Sequence, residues 1–271
     1  MKYPPVHYHH YLDIDKLLSA QHPKSVEYKK PAHDEMLFII VHQTYELWFK
    51  QIIFEIDSVL QTFHKTQIDE AEMGRASARL ERVVSILKLI IGQVDVLETM
   101  TPLDFLDFRD MLYPASGFQS FQWRLIETKL GLRMTDRLAY NQSPFYKSLS
   151  ESQQQDMLKV LNEPSLFDAI EKWLERTPFL QDENFNFWES YKQAVNNMFQ
   201  DDINTVNNNP RLSDEDKIKN VQGLESSLKT FDALFDEKAF NELRAQGHFR
   251  LSYKALHAAL LIQLYRDQPI L

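Results

Sequence analysis

The sequence contains no cysteine, which excludes disulfides, zinc fingers, iron–sulfur clusters and thiol catalysis within this chain. Only six of its 271 residues are glycine, against eleven prolines. Scarce glycine argues against an all-β protein full of tight turns, and no Asn-Gly or Asp-Gly hairpin signal occurs. The composition therefore predicts a mainly helical protein.

Excess positive charge and long apolar runs are missing as well. The formal net charge of −9 argues against broad nucleic-acid binding, which depends on clustered Lys and Arg. No apolar run approaches the ~20 residues that span a bilayer, and the N-terminal stretch lacks the apolar core of a signal peptide. The expected location is the cytoplasm, with neither a membrane nor a nucleic acid as partner.

Nucleotide-binding and hydrolase motifs are also absent: the chain has no G-x-S-x-G, no P-loop and no G-x-G-x-x-G. Hydrolase, kinase and dinucleotide-binding functions therefore have no support in the sequence.

The periodicity of apolar residues predicts an all-α fold, a helical bundle with two long antiparallel helices and an irregular N-terminal arm over about residues 1–32. Apolar side chains recur at helical spacing over roughly 34–63 and 68–97, and two such helices with a short connection are typical of a bundle. Shorter helices should follow, including a charged one over about 213–245. Because no internal repeat is present, residues 1–271 are predicted to form a single domain.

The segment FIIVHQTYELWFK, residues 38–50, carries the first candidate site. Phe38 and His42 are four residues apart and so share one face of a helix. A lone histidine on an apolar face is more often a core residue than a functional one. Glu46, one turn further on, could equally form a helix ion pair with Lys50.

The segment FRDMLYPASGFQS, residues 108–120, carries the second candidate site. Arg109 is flanked by Asp107 and Asp110, so it could form a surface salt bridge. It could also act as a bidentate clamp on a ligand carboxylate. Ser116 and Gly117 could form a plain turn or a place where backbone approaches a ligand closely. A ring, an imidazole and a guanidinium together would suit a planar amino acid.

Histidines and tyrosines alternate near the N-terminus. His7, His9 and His10 could bind a metal, although the adjacent pair His9 and His10 cannot both face one ion from a regular strand or helix. Tyr8 and Tyr11 could be aromatic anchors in a cleft or in a subunit contact.

A resemblance to the tryptophan 2,3-dioxygenase family rests on four segments between residues 8 and 269. They are YHHYLDIDKLLSAQ, HDEMLFIIVHQTYELWFKQIIFEI, VLETMTPLDFLDFRDMLYPASGFQSFQWRLIE and RLSYKALHAALLIQLYRDQP. The family is all-helical, binds haem b and forms a homotetramer built as a dimer of dimers. The resemblance implies an oxidoreductase that inserts both atoms of O₂ across the indole C2–C3 bond of L-tryptophan. The product would be N-formylkynurenine, the entry to the kynurenine pathway of tryptophan catabolism.

The resemblance also implies roles for the substrate-binding residues. His42 matches the catalytic distal histidine that accepts a hydrogen bond from the indole N–H, a role that suits a neutral imidazole. Phe38 matches a ring that packs on the substrate, and Phe105 occupies a position that is Tyr or Phe among members. Arg109 matches the arginine that pairs with the substrate carboxylate and would reject indoles without one.

The same resemblance implies roles for residues of the turn at 116–117 and of the N-terminal arm. Ser116 and Gly117 match the turn over the haem. Tyr8, Tyr11 and Leu12 match N-terminal residues that a neighbouring subunit contributes to the pocket.

The family's axial haem-ligating histidine is expected beyond Leu271, together with a glycine-rich loop that contacts the substrate, so no metal ligand is predicted in this chain. His248 and His257 do not match that ligand. The favoured interpretation is a fragment of the functional protein. The alternatives are a shortened, haem-free relative that binds an indole or aromatic amino acid without turnover, and a helix-bundle interaction protein with a vestigial pocket.

Overall fold

The computed structural model describes residues 3–137, 144–176 and 187–267, and every regular element in these ranges is helical. The predicted all-α fold is therefore confirmed. The chain divides into two compact units, Met1–Phe167 and Asp168–Leu271, and each is described by itself. The single-domain organisation stays a prediction. None of the described helices combines the length and the apolar character that crossing a membrane requires.

The first unit contains the long helices and the N-terminal arm. Its helices are α1 (Tyr8–Tyr11), α2 (Ile14–Leu18), α3 (Lys24–Glu27), α4 (Glu35–Phe63), α5 (Glu70–Gly92), α6 (Val94–Leu97), α7 (Pro102–Arg109), α8 (Phe121–Leu130) and α9 (Glu151–Leu161). Short 3₁₀ turns lie at Asp110–Leu112, Gly117–Gln119, Met134–Asp136 and Phe145–Ser148. The arm is thus less irregular than predicted, because three short helices occupy part of it.

The two long helices α4 and α5 pack antiparallel, as predicted. Glu55 on α4 pairs with Arg82 on α5, and nearer the start of α4 the Tyr45 hydroxyl donates to the Ile90 carbonyl. Apolar side chains three and four residues apart on both helices, together with one from α8, form the buried core. These are Ile52, Ile56, Val59, Val83, Ile86, Ile90 and Ile126.

Local capping chemistry sets several helix starts. The Asp69 carboxylate accepts from the Glu72 N–H at the start of α5, and Thr101 with Asp104 forms a capping box on α7. Ser150 and Gln153 form a capping box at the start of α9, as their Ser-x-x-Gln spacing in the sequence predicts. These interactions involve neighbours three residues apart, which is why sequence patterns reveal them.

Helix α10 (Leu166–Glu175) begins in the last two residues of the first unit, and its remaining residues belong to the second. The second unit also contains α11 (Phe187–Asn207), α12 (Asp214–Ala233), α13 (Glu237–Ala245) and α14 (Tyr253–Asp267). Helix 213–245 was predicted to be continuous, and this is wrong. Helix α12 ends at Ala233, and Asp236 caps the next helix, α13, by accepting from the Ala239 N–H.

Side chains of α14 explain this break. His257 Nε2 lies 2.7 Å from the carbonyl oxygen of Leu234, and the Tyr253 hydroxyl donates to the carbonyl of Phe235. In an uninterrupted helix those two carbonyls would accept from backbone N–H groups four residues later. Tertiary contacts therefore replace the helical hydrogen bonds at this point.

Candidate functional site

A cavity of about 470 Å³ lies at the start of α4, between the arm and the turn that precedes α8. Phe38 and His42 of α4 line it together with Ser116 and Gly117 of the turn. Four of the residues predicted for the site are therefore brought together. The two segments that carry them are more than seventy residues apart in the sequence, so only the fold joins them.

His42 has a defined hydrogen-bonding role in this cavity. Its Nδ1 lies 2.7 Å from the carbonyl oxygen of Phe38, one turn earlier on α4. A carbonyl oxygen can only accept, so Nδ1 carries the proton of this bond. In the neutral ring the other nitrogen, Nε2, is then a hydrogen-bond acceptor.

Aromatic rings form a continuous wall beside this imidazole. The ring centroids of Phe38 and His42 are 4.1 Å apart. Phe38 also contacts two rings of α7, at 5.8 Å from Phe105 and 5.6 Å from Phe108. Phe108 is fully buried and acts as core, whereas Phe105 is partly exposed. Phe105 contacts the ring wall without itself lining the cavity.

Arg109 is the last residue of α7 and is exposed. It lies four residues after Phe105 and so occupies the same face of that helix. The cavity lining does not include it, and within the described ranges no ion pair joins it to a carboxylate. The surface salt bridge considered from the sequence is therefore not formed. His42 is connected to this helix through Phe38, which contacts the rings of Phe105 and Phe108.

The turn opposite α4 is held by its own capping box. The Ser116 hydroxyl accepts from the Phe118 N–H at 3.3 Å, and the Gln119 side chain accepts from the Ser116 N–H at 3.1 Å. At Gly117 an added Cβ would meet nothing within 4 Å, so the space in front of this backbone is open. The peptide bond between Tyr113 and Pro114 is cis.

Two carboxylates in the cavity lining were not predicted to belong to the site. Glu35 is buried and accepts from the backbone N–H groups of Lys24 and Ser25, at 2.7 and 2.8 Å, at the start of α3. Glu46 accepts from side chains of the segment that follows the turn, and not from Lys50. The spacing of Glu46 from His42 could have indicated its position on the cavity face, but nothing in the sequence indicates the partners of either carboxylate.

The N-terminal residues of the predicted site lie elsewhere in this chain. Tyr8 and Tyr11 on α1 are 72% and 75% exposed, Leu12 is 43% exposed, and none of the three lines the cavity. His9 Nε2 lies 2.8 Å from an Asp15 carboxylate oxygen. In the part of the chain that the structure describes, no cluster of three or more His, Asp or Glu side chains could hold a metal ion.

Comparison with known proteins identifies the family of this chain. Residues 3–271 match the family model described as tryptophan 2,3-dioxygenase. A protein of that name from Bdellovibrio bacteriovorus is 81% identical over 271 residues, which cover all of this chain and 76% of that protein. Those from Alteromonas mediterranea and Dictyostelium discoideum are 44% and 45% identical, each over 98% of this chain, and the matches cover 74% and 66% of their own lengths. The chain therefore belongs to the tryptophan 2,3-dioxygenase family.

Proposed function

We propose that this chain acts as a tryptophan 2,3-dioxygenase, an oxidoreductase that adds both atoms of O₂ across the indole C2–C3 bond of L-tryptophan. The bond between C2 and C3 breaks, each carbon gains one oxygen, and the product is N-formylkynurenine. Family membership supports the reaction class. The observation that carries the proposal in this structure is the acceptor nitrogen of His42 beside the Phe38 ring, at the wall of a cavity.

His42 and Phe38 would together orient the indole. The bond from Nδ1 to the Phe38 carbonyl holds the tautomer whose Nε2 accepts, and the indole N–H needs such an acceptor. The adjacent ring supplies a flat apolar surface for the indole plane. Because the same α4 backbone carries both side chains one turn apart, their relative position is held by the helix itself.

Arg109 would bind the other end of the amino acid. The guanidinium presents a planar fork that matches a carboxylate. It is exposed in this single chain, yet it shares a helix face with Phe105, whose ring contacts Phe38. We propose that the substrate carboxylate reaches this guanidinium from an indole placed against Phe38.

Haem b is the cofactor that the resemblance implies, and the cavity residues suit one face of such a group. Phe38, Ile39, Leu112 and Ala115 give the cavity an apolar part, and the backbone at Gly117 leaves open the space that a side chain would fill. Ser116 and Gly117 are proposed to contact it. None of the described residues is assigned as a ligand of the haem iron. When bound, haem would supply the oxygen chemistry, while His42, Phe38 and Arg109 position the substrate.

Self-association into a homotetramer, arranged as a dimer of dimers, is proposed on the same resemblance. The exposed aromatic residues of α1 support it, because exposed apolar patches mark sites of protein–protein contact. Tyr8, Tyr11 and Leu12 would complete the cavity of a neighbouring subunit. A cytoplasmic location stays a prediction.

The test is product formation. The full-length protein, loaded with haem and reduced, should convert L-tryptophan and O₂ into N-formylkynurenine, measured by its absorbance and mass. A haem-loaded sample that forms no product would contradict the proposal. Tryptophan binding by protein that shows no Soret band would instead favour the haem-free binding alternative.

Replacing Arg109 by Leu should weaken L-tryptophan binding by about 2–5 kcal/mol, because the proposed pair with the substrate carboxylate is buried in the complex and would be lost. Calorimetry measures this, and binding of indole, which lacks a carboxylate, should not change. Arg75→Leu is the matched control, since Arg75 is an exposed arginine on α5 outside the cavity lining. Equal tryptophan affinity in wild type and Arg109→Leu would rule out the clamp.

A further inference from the structure

Glu46 lies one helical turn after His42 on α4 and lines the same cavity as His42, Ser116 and Gly117. Its carboxylate is therefore the group of α4 that faces both the candidate site and the segment across the cavity. What it binds there determines whether it serves the site or only the stability of the helix.

The carboxylate binds the segment that carries the turn. The Ser120 hydroxyl donates to Glu46 Oε1 at 2.6 Å, and the Gln122 amide donates to Oε2 at 2.8 Å. The same amide also lies 2.8 Å from the Glu46 carbonyl oxygen. Three hydrogen bonds thus join one residue of α4 to residues more than seventy positions later.

Ser120 connects these bonds to the turn. Its backbone N–H donates to the Gly117 carbonyl at 3.1 Å, while its hydroxyl accepts from the Trp123 N–H at 3.2 Å and so caps α8. The Ser120 hydroxyl is therefore bonded on both sides, to Glu46 and to the first turn of α8. Glu46 holds the point at which the turn ends and the helix begins.

Glu55 on the same helix provides a contrast. It is buried and accepts from Arg82 at 2.5 Å and from Gln51 at 2.7 Å, all outside the cavity lining. Arg82 belongs to α5, so this pair holds the two helices together, whereas Gln51 lies one turn before Glu55 on α4 itself. Glu46 has no salt bridge among the described residues, and its partners are a hydroxyl and an amide at the edge of the cavity.

We infer that Glu46 is a positioning residue, which sets the distance between His42 and the Ser116–Gly117 turn and thereby the width of the substrate cavity. The inference rests on the proposed function, because it assumes that tryptophan occupies this cavity. It requires no contact between Glu46 and the substrate.

The test compares Glu46→Ala with Glu55→Ala in the haem-loaded protein. Glu46→Ala removes both hydrogen bonds of the carboxylate and should raise the KM for L-tryptophan roughly tenfold. Glu55→Ala should lower the melting temperature with KM unchanged. Glu46→Gln should largely rescue KM, because its amide oxygen can still accept from Ser120. Lys50→Ala should keep the wild-type KM, because Glu46 does not pair with Lys50.

A second pair of variants removes the same bond from the other side, in case Glu46→Ala does not fold. Ser120→Ala loses both the cap of α8 and the bond to Glu46, whereas Ser150→Ala loses only a cap, that of α9. Ser120→Ala should raise KM and Ser150→Ala should not.

Two results would overturn the inference. In the first, Glu46→Ala or Ser120→Ala loses stability like its control and keeps the wild-type KM. In the second, Glu46→Gln is as impaired as Glu46→Ala. Failure of the proposed function looks different, since wild-type protein would then form no N-formylkynurenine. In that case tryptophan binding by calorimetry replaces KM, and a wild type that does not bind tryptophan ends both proposals.

Discussion

His42 in the first unit and His257 in the second make the same kind of bond in opposite surroundings. Each has a ring nitrogen 2.7 Å from a backbone carbonyl oxygen. His42 uses Nδ1 and a carbonyl of its own helix, which leaves Nε2 beside a cavity. His257 uses Nε2 and the Leu234 carbonyl, and only 5% of it is exposed. The same hydrogen bond therefore serves a core at His257, while at His42 it leaves the second nitrogen at a cavity, where we propose a role in substrate binding.

Aromatic rings enclose His257 on several sides. Trp188, Tyr253 and Phe235 lie 4.6, 4.1 and 5.7 Å from its ring, between centroids. Burial lowers the pKa of His257, while the bond to Leu234 and the charge of Glu237 partly offset that effect. The ring is therefore held neutral inside a core, where it caps the break between α12 and α13.

The largest expected effect is on stability. His257→Ala should reduce the free energy of unfolding by about 3 kcal/mol, because it leaves a cavity among aromatic rings and an unpaired Leu234 carbonyl. His42→Ala should cost less, since its ring already borders open space. Urea unfolding followed by tryptophan fluorescence measures both. Equal losses in the two variants would remove the distinction between the histidines.

Activity should show the reverse order, with a larger loss in His42→Ala than in His257→Ala. His42→Ala should lower kcat/KM for L-tryptophan roughly ten- to hundredfold, corresponding to about 1–3 kcal/mol for an indole N–H left without its acceptor. Substrate methylated at the indole nitrogen sharpens the test, because it has no N–H to donate. Wild type should discriminate against it, and His42→Ala should lose that discrimination. Undiminished discrimination in the variant would exclude the acceptor role.

The smallest effect concerns pH. Because the pKa of His257 is lowered in the folded state, the unfolded chain binds the proton more readily. The stability that the neutral ring contributes is present above the unfolded-state pKa of about 6.5 and is lost as the pH falls below it.

His257→Gln isolates this pH effect, since its amide can donate to the Leu234 carbonyl but cannot gain a proton. Its free energy of unfolding should fall less steeply than that of wild type between about pH 6.5 and pH 5. Equally steep curves for the two proteins would show that His257 does not contribute to the acid sensitivity.

Local sequence spacing determined much of this protein: the long pair α4 and α5, the capping box of α9 and the placement of Phe38 and His42 on one helix face. Such features depend on residues three or four positions apart, so hydrophobic periodicity and capping motifs in the sequence predict them. The break between α12 and α13 and the partners of Glu46 were decided by the tertiary structure alone. Carbonyls at 234 and 235 are taken by side chains of α14, and Glu46 binds residues 74 and 76 positions away. Contacts at such separations leave no periodic trace, because they depend on where the folded helices bring the chain back together.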